Sequence, residues 1–112
     1  MKIYHNPRCS KSRQALALLE EKGAQAEVVE YLKTPPSQAE LKKTLKKLGC
    51  KAEDIIRKNE SLYKEKFKDK KMTEEQWIKA LAENPVLIER PIVITDKKAV
   101  IGRPPEKVLE LI

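Results

Sequence analysis

The spacing of apolar residues changes repeatedly along this chain, and each change marks an element. Residues 2–5, "KIYH", alternate apolar and polar types and include a β-branched and an aromatic residue, the signature of a short strand. From Ser10 the period lengthens. Ala15, Leu16 and Leu19 share one helical face, and Gly23 provides the stop. "EVVEYL" (27–32) returns to strand composition. A strand, a helix and a second strand in so short a stretch predict a βαβ unit with parallel strands.

The middle of the chain reads as helical. In "TPPSQAELKKTLKKLGC", Ser37 and Glu40 have capping-box spacing, and Leu41, Leu45 and Leu48 repeat at helical intervals up to Gly49. "AEDIIRK" (52–58) predicts a shorter helix, and the lysine-rich "KEKFKDKK" (64–71) a solvated connection running to Met72. Thr73 and Gln76 form another capping pair, opening a helix through Trp77 and Leu81 that ends before Pro85. In "RPIVITDKKAVIGRPPEKVLELI", a β-branched run (92–95), a turn at Asp96–Lys97 and a second strand (98–101) predict a hairpin. A proline-initiated helix follows Gly102. The order βαβ, helices, ββα is that of an α/β, thioredoxin-like fold: a mixed four-stranded sheet flanked by helices, with a helical insertion between its halves. No repeat or linker divides residues 1–112, so a single domain is expected.

Composition narrows the function classes. The chain is 40% hydrophobic and 37% charged, which suits an ordered globular protein. No apolar run is long enough to cross a bilayer, and "MKIYHNPRCS" lacks the features of a secretory signal, so a cytoplasmic location without membrane association is expected. Two cysteines without C-x-x-C spacing do not make a disulfide scaffold, and with His5 as the one histidine they cannot complete a structural zinc site. The net charge of +7 suits an anionic ligand, but aromatics at 4% leave little to stack on bases, and no nucleic-acid partner is expected.

The chemistry turns on Cys9, set among His5, Arg8, Lys11 and Arg13 where the first strand gives way to a helix. The unpaired N–H groups of a helix N-terminus carry partial positive charge. There, and beside cations, a thiol is driven toward the nucleophilic thiolate. The flanking cations are expected to add to this effect. Against it stands the plain reading of Cys9 as an inert small residue. Position 12 is serine, so a resolving thiol must come from Cys50 or from outside, and Cys50 has no comparable electropositive setting. His5 either supports the thiolate or simply ends the strand. A phosphatase-type C-x5-R loop is excluded, because Ala15 stands six residues after Cys9.

Three arginines stand apart from the lysine background: Arg57 in "IIRKN", Arg90 in "IERPIVI" and Arg103 in "IGRPPE". A guanidinium presents a planar donor fork suited to oxyanions. Converging beside a thiolate, the three would hold a small tetrahedral oxyanion. Scattered, they would be ordinary surface or ion-pair residues.

"IYHNPRCSKSR", "VEYLKTPPS", "IIRKN", "NPVLIERPIVI" and "IGRPPEKVLELI", in this order and spanning nearly the whole chain, resemble the glutaredoxin-coupled arsenate reductase family. The resemblance implies Cys9 and His5 as catalytic residues, Arg57, Arg90 and Arg103 as oxyanion ligands, and Pro91 as a structural cis-proline. It implies attack of Cys9 on arsenate, with glutathione as co-substrate, glutaredoxin as a second thiol donor, arsenite as product, and no bound metal or flavin. Two alternatives share the fold: a thiol-dependent reductase or transferase acting on another substrate, and an Spx-type regulator that binds RNA polymerase. Regulators of that type generally carry C-x-x-C, and Ser12 departs from it.

Overall fold

The structure, a computed structural model, describes residues 1–112 and resolves two compact units, one formed by residues 1–34 and 90–112, the other by residues 35–89. In the first unit, β1 (Lys2–Tyr4) runs parallel to β2 (Glu27–Val29) and antiparallel to β3 (Ile92–Ile94), with β4 (Ala99–Ile101) antiparallel to β3. The sheet order is β2-β1-β3-β4. Ile3 stands opposite both Val28 and Val93, and Val93 opposite Val100, so these residues share one face. Against that face α1 (Ser10–Glu21) packs Ala15 and Leu19, and a 3-10 helix (Pro105–Leu111) packs Val108. Ile3, Ala15, Leu19, Val93 and Val108 are fully buried, and each large aliphatic among them contributes about 1.5–3 kcal/mol relative to exposure.

The expected βαβ and ββα halves are both present, with shorter strands. β2 stops at Val29 because the Glu30 carbonyl accepts from the N–H groups of Lys33 (2.9 Å) and Thr34 (3.0 Å), which turns the chain. Gly23, at φ +76°, ends α1 in the left-handed region that a residue with a Cβ rarely adopts. The terminal helix is a 3-10 helix rather than an α-helix. It opens on Pro104 and Pro105, which supply no N–H, and Lys107 donates to the Pro104 carbonyl three residues back at 3.0 Å.

The second unit is helical: α2 (Gln38–Leu48), a 3-10 helix (Ala52–Ile55), α3 (Ser61–Lys66), α4 (Glu74–Glu83) and a second 3-10 helix (Pro85–Leu87). Both capping boxes form. Ser37 Oγ accepts from the Glu40 N–H and Thr73 Oγ1 from the Gln76 N–H, with the glutamate and glutamine side chains returning the bond. Leu41 and Leu45 of α2 and Trp77, Ile78 and Leu81 of α4 are buried where those helices pack.

Two expectations fail in this unit. The helix placed over 52–58 ends at Ile55. Ile56 instead forms an antiparallel bridge with Ile88, while Arg57 N–H donates to the Leu87 carbonyl (2.7 Å) and Glu89 N–H to that of Ile55 (2.8 Å). Adjacent β-branched Ile55 and Ile56 favour that extended pairing. The lysine-rich connection is also not all loop. α3 lies at its start, and Tyr63 and Phe67 set their rings 6.5 and 5.9 Å from Trp77, anchoring it.

Candidate functional site

Cys9 is the N-cap of α1, with extended backbone (φ −95°, ψ 120°) and 8% exposure. Asn6 and Pro7 turn the chain out of β1. The Asn6 carbonyl accepts from the Cys9 N–H (3.0 Å), and the Cys9 carbonyl accepts from the Arg13 N–H (3.0 Å) as the helix starts. Asn6 Oδ1 also accepts from the Arg8 N–H at 3.0 Å. The loop therefore holds one geometry, with the sulfur at the free donors of the first helical turn.

From the far end of the chain, Arg103 Nη2 donates to Cys9 Sγ at 3.6 Å. Its Nε donates to the Arg90 carbonyl at 2.8 Å, so the guanidinium is fixed by the segment that carries the second arginine. Burial pushes the Cys9 thiol up. The Ser12 N–H, the Arg90 charge, the Lys11 N–H and the Arg103 charge together outweigh burial, and the thiol lies below its ordinary value. The charges that favour the thiolate belong to Arg90 and Arg103, not to the flanking Arg8, Lys11 and Arg13 expected from the sequence. Proximity in the chain misleads here, because exposed side chains point into water while arginines from distant segments are directed at the sulfur.

His5 does not reach the thiol. Its Nδ1 shares a 2.6 Å hydrogen bond with Ser12 Oγ, and Ser12 Oγ also accepts from the Asn6 N–H at 3.0 Å. Burial holds the imidazole below its ordinary value, Glu30 opposes this, and Arg13 adds to it. His5 thus ties the end of β1 to the first turn of α1 through a fully buried serine. In the sequence Ser12 stands out only as the position where C-x-x-C would put a second cysteine. Its spacing of seven from His5, across a strand–helix junction, was the available signal.

Arg57 belongs to the helical unit, where Nη1 pairs with Glu60 Oε1 at 2.7 Å and lies 3.5 Å from the Val86 carbonyl. Pro91 follows a cis peptide bond from Arg90, and a second cis bond, unanticipated from the sequence, joins Arg103 to Pro104. Cys50, in the helical unit, is pushed up by burial and by the charges of Asp54 and Glu74, the opposite of Cys9. No cluster of three or more His, Cys, Asp or Glu is arranged to hold a metal.

A mixed four-stranded sheet with a lone helix-capping cysteine faced by two arginines defines a thioredoxin-like protein built around one thiolate. Residues 4–111 match the model of the ArsC family, and the chain belongs to that family. It is 54% identical to the Escherichia coli (strain K12) protein YfgD, described as uncharacterized, over 100% of this chain and 96% of that one. It is 50% identical to an arsenate reductase of Neisseria meningitidis serogroup B, covering 96% of this chain and 94% of the relative. Among solved structures, an arsenate reductase from Vibrio cholerae superposes with a TM-score of 0.94 at 47% identity, over 100% of this chain and 98% of that one.

Proposed function

We propose that this chain is an arsenate reductase that works through the Cys9 thiolate in the cytoplasm, where glutathione and glutaredoxin supply the external thiols. The observation that carries the reading is the Arg103 guanidinium donating to Cys9 Sγ at 3.6 Å. A donor fork in that place can hold a small oxyanion against the sulfur that attacks it. Half-identity to proteins named arsenate reductase supports arsenate as that oxyanion.

In the proposed cycle, Cys9 Sγ forms a bond to arsenic and an arsenate oxygen leaves as water. Arg90 and Arg103 neutralise charge on the remaining oxygens, and Arg57 is proposed as a third ligand. Glutathione then forms a sulfur–arsenic bond as a second arsenic-bound oxygen leaves as water, and a second thiol, from glutaredoxin, attacks the glutathione sulfur. The two external thiols end as one disulfide, and their electron pair takes arsenic from the pentavalent to the trivalent state. One water hydrolyses the remaining Cys9–arsenic bond, which releases arsenite and regenerates Cys9. The balance is one arsenate and two thiols in, one arsenite, one disulfide and one water out. With serine at position 12, no neighbouring thiol competes for the adduct.

The test is arsenate-dependent oxidation of glutathione with glutaredoxin present, coupled to glutathione reductase and NADPH. Wild type is expected to turn over and Cys9→Ser to be inactive. Arg90→Ala and Arg103→Ala are each expected to lose about 10²-fold or more in kcat/KM, as for loss of an oxyanion donor. Arg57→Ala is expected to raise the KM for arsenate. Absence of turnover by wild type, with Cys9 still reacting rapidly with a thiol probe, would assign the site to another substrate.

A further inference from the structure

Arg8, Lys11 and Arg13 flank Cys9 along the chain, and all three are exposed. They stand at the unfavourable end of a helix. Its N-terminal N–H groups already carry partial positive charge, and the first turn of α1 holds no acidic residue to compensate. Arg13 has a structural task, since its Nη1 donates to the Pro7 carbonyl at 2.9 Å. The side chains of Arg8 and Lys11 have none. They take part in no ion pair and no side-chain hydrogen bond, although the Arg8 and Lys11 backbones are fixed by the loop and the helix. Nor do their charges hold the thiolate, which depends on Arg90 and Arg103.

We infer that Arg8 and Lys11 select the second reactant at Cys9: they form a cationic rim that recruits a small thiol or disulfide bearing carboxylates over a neutral one. This rests on Cys9 being the nucleophile of the proposed reaction, but it needs no arsenate. Arg90 and Arg103 are engaged at the sulfur. Of the three exposed cations that flank Cys9 in the chain, Arg8 and Lys11 are the two whose side chains no partner holds, so they can turn to a carboxylate arriving from solvent. Their long stems give them reach across the loop, and each is tethered within two residues of the sulfur. Exposed charges of this kind act mainly on encounter and are screened by salt.

The test uses the full chain carrying Cys50→Ser, so that Cys9 is the one thiol, with and without Arg8→Gln and Lys11→Gln together. Cys9 is reacted with iodoacetate and with neutral iodoacetamide, and with glutathione disulfide and neutral hydroxyethyl disulfide. In the disulfide reactions the Cys9 thiolate attacks one sulfur, a protein–thiol disulfide forms and one small thiolate leaves, so one S–S bond replaces another. At low ionic strength the double variant is expected to react about three- to tenfold more slowly with iodoacetate and glutathione disulfide, with both neutral rates within about twofold. About 0.5 M salt should close that gap. An unchanged preference for the anionic reagents would overturn the inference. So would an equal fall in all four rates, since the two residues would then be supporting the thiolate. A wild type that shows the preference but no arsenate turnover would sink the proposed reaction and leave this inference standing.

Discussion

A buried thiol ordinarily keeps its proton, and Cys9 departs from this because donors surround it: two backbone N–H groups and two guanidinium charges against one desolvation cost. Alkylation by iodoacetamide should therefore follow a titration below the ordinary thiol value of 9.0. Arg103→Ala should move it upward, whereas Cys50 should titrate above that value. The sign for stability follows. Between the folded Cys9 value and 9.0 the unfolded chain binds more protons, so stability is fully present above 9.0 and is lost as pH falls through the folded value. Cys9→Ser should flatten that part of the melting-temperature profile. Ser12 supplies the other residue-scale expectation. Ser12→Ala leaves the Asn6 N–H and His5 Nδ1 without their buried partner, a loss of about 1–3 kcal/mol, read by urea unfolding.

Between elements, one close approach is at Gly102, which joins β4 to the terminal 3-10 helix. A Cβ there would lie 2.9 Å from Pro91 Cγ, 3.2 Å from Val108 Cγ1 and 3.4 Å from the Ala15 Cβ. The Pro91 ring cannot rotate away, so Gly102→Ala should push β3, α1 and the 3-10 helix apart at a cost of roughly 1–3 kcal/mol. It should also slow Cys9 alkylation, because Arg103 is the next residue. The helices themselves were legible from the chain. Caps at Ser37 and Thr73 are local, each serine or threonine meeting an N–H three residues away, and local geometry needs no partner from elsewhere. Residues 55–57 were not legible, because their pairing with 87–89 depends on a segment about thirty residues further on.

For the molecule as a whole, a bound oxyanion should act as a stabiliser if the arginine–thiolate site holds one. Sulfate at about 100 times its Kd should raise stability by about 2.7 kcal/mol, seen as a higher Tm against chloride at matched ionic strength. The shift should persist in Cys9→Ser, which keeps both guanidiniums, and should be lost in Arg103→Ala. Equal shifts in wild type and Arg103→Ala would mean that sulfate binds elsewhere.

By itself the sequence determined what depends on neighbours: where α1, α2 and α4 begin, that β1 and β2 run parallel, and that Cys9 caps a helix. Hydrophobic period, caps and chain breaks act over a few residues, so they can be read in order along the chain. Only the tertiary structure decided which charges act on the sulfur. Arg103 stands 94 residues from Cys9 yet donates to it at 3.6 Å, while Arg8 beside it points to solvent. It also decided that the hydrogen-bond partner of His5 is Ser12 and not Cys9. Electrostatic coupling falls with distance through space, and that distance exists only once β3 has folded beside β1, and β4 beside β3, and brought the arginines to the thiolate.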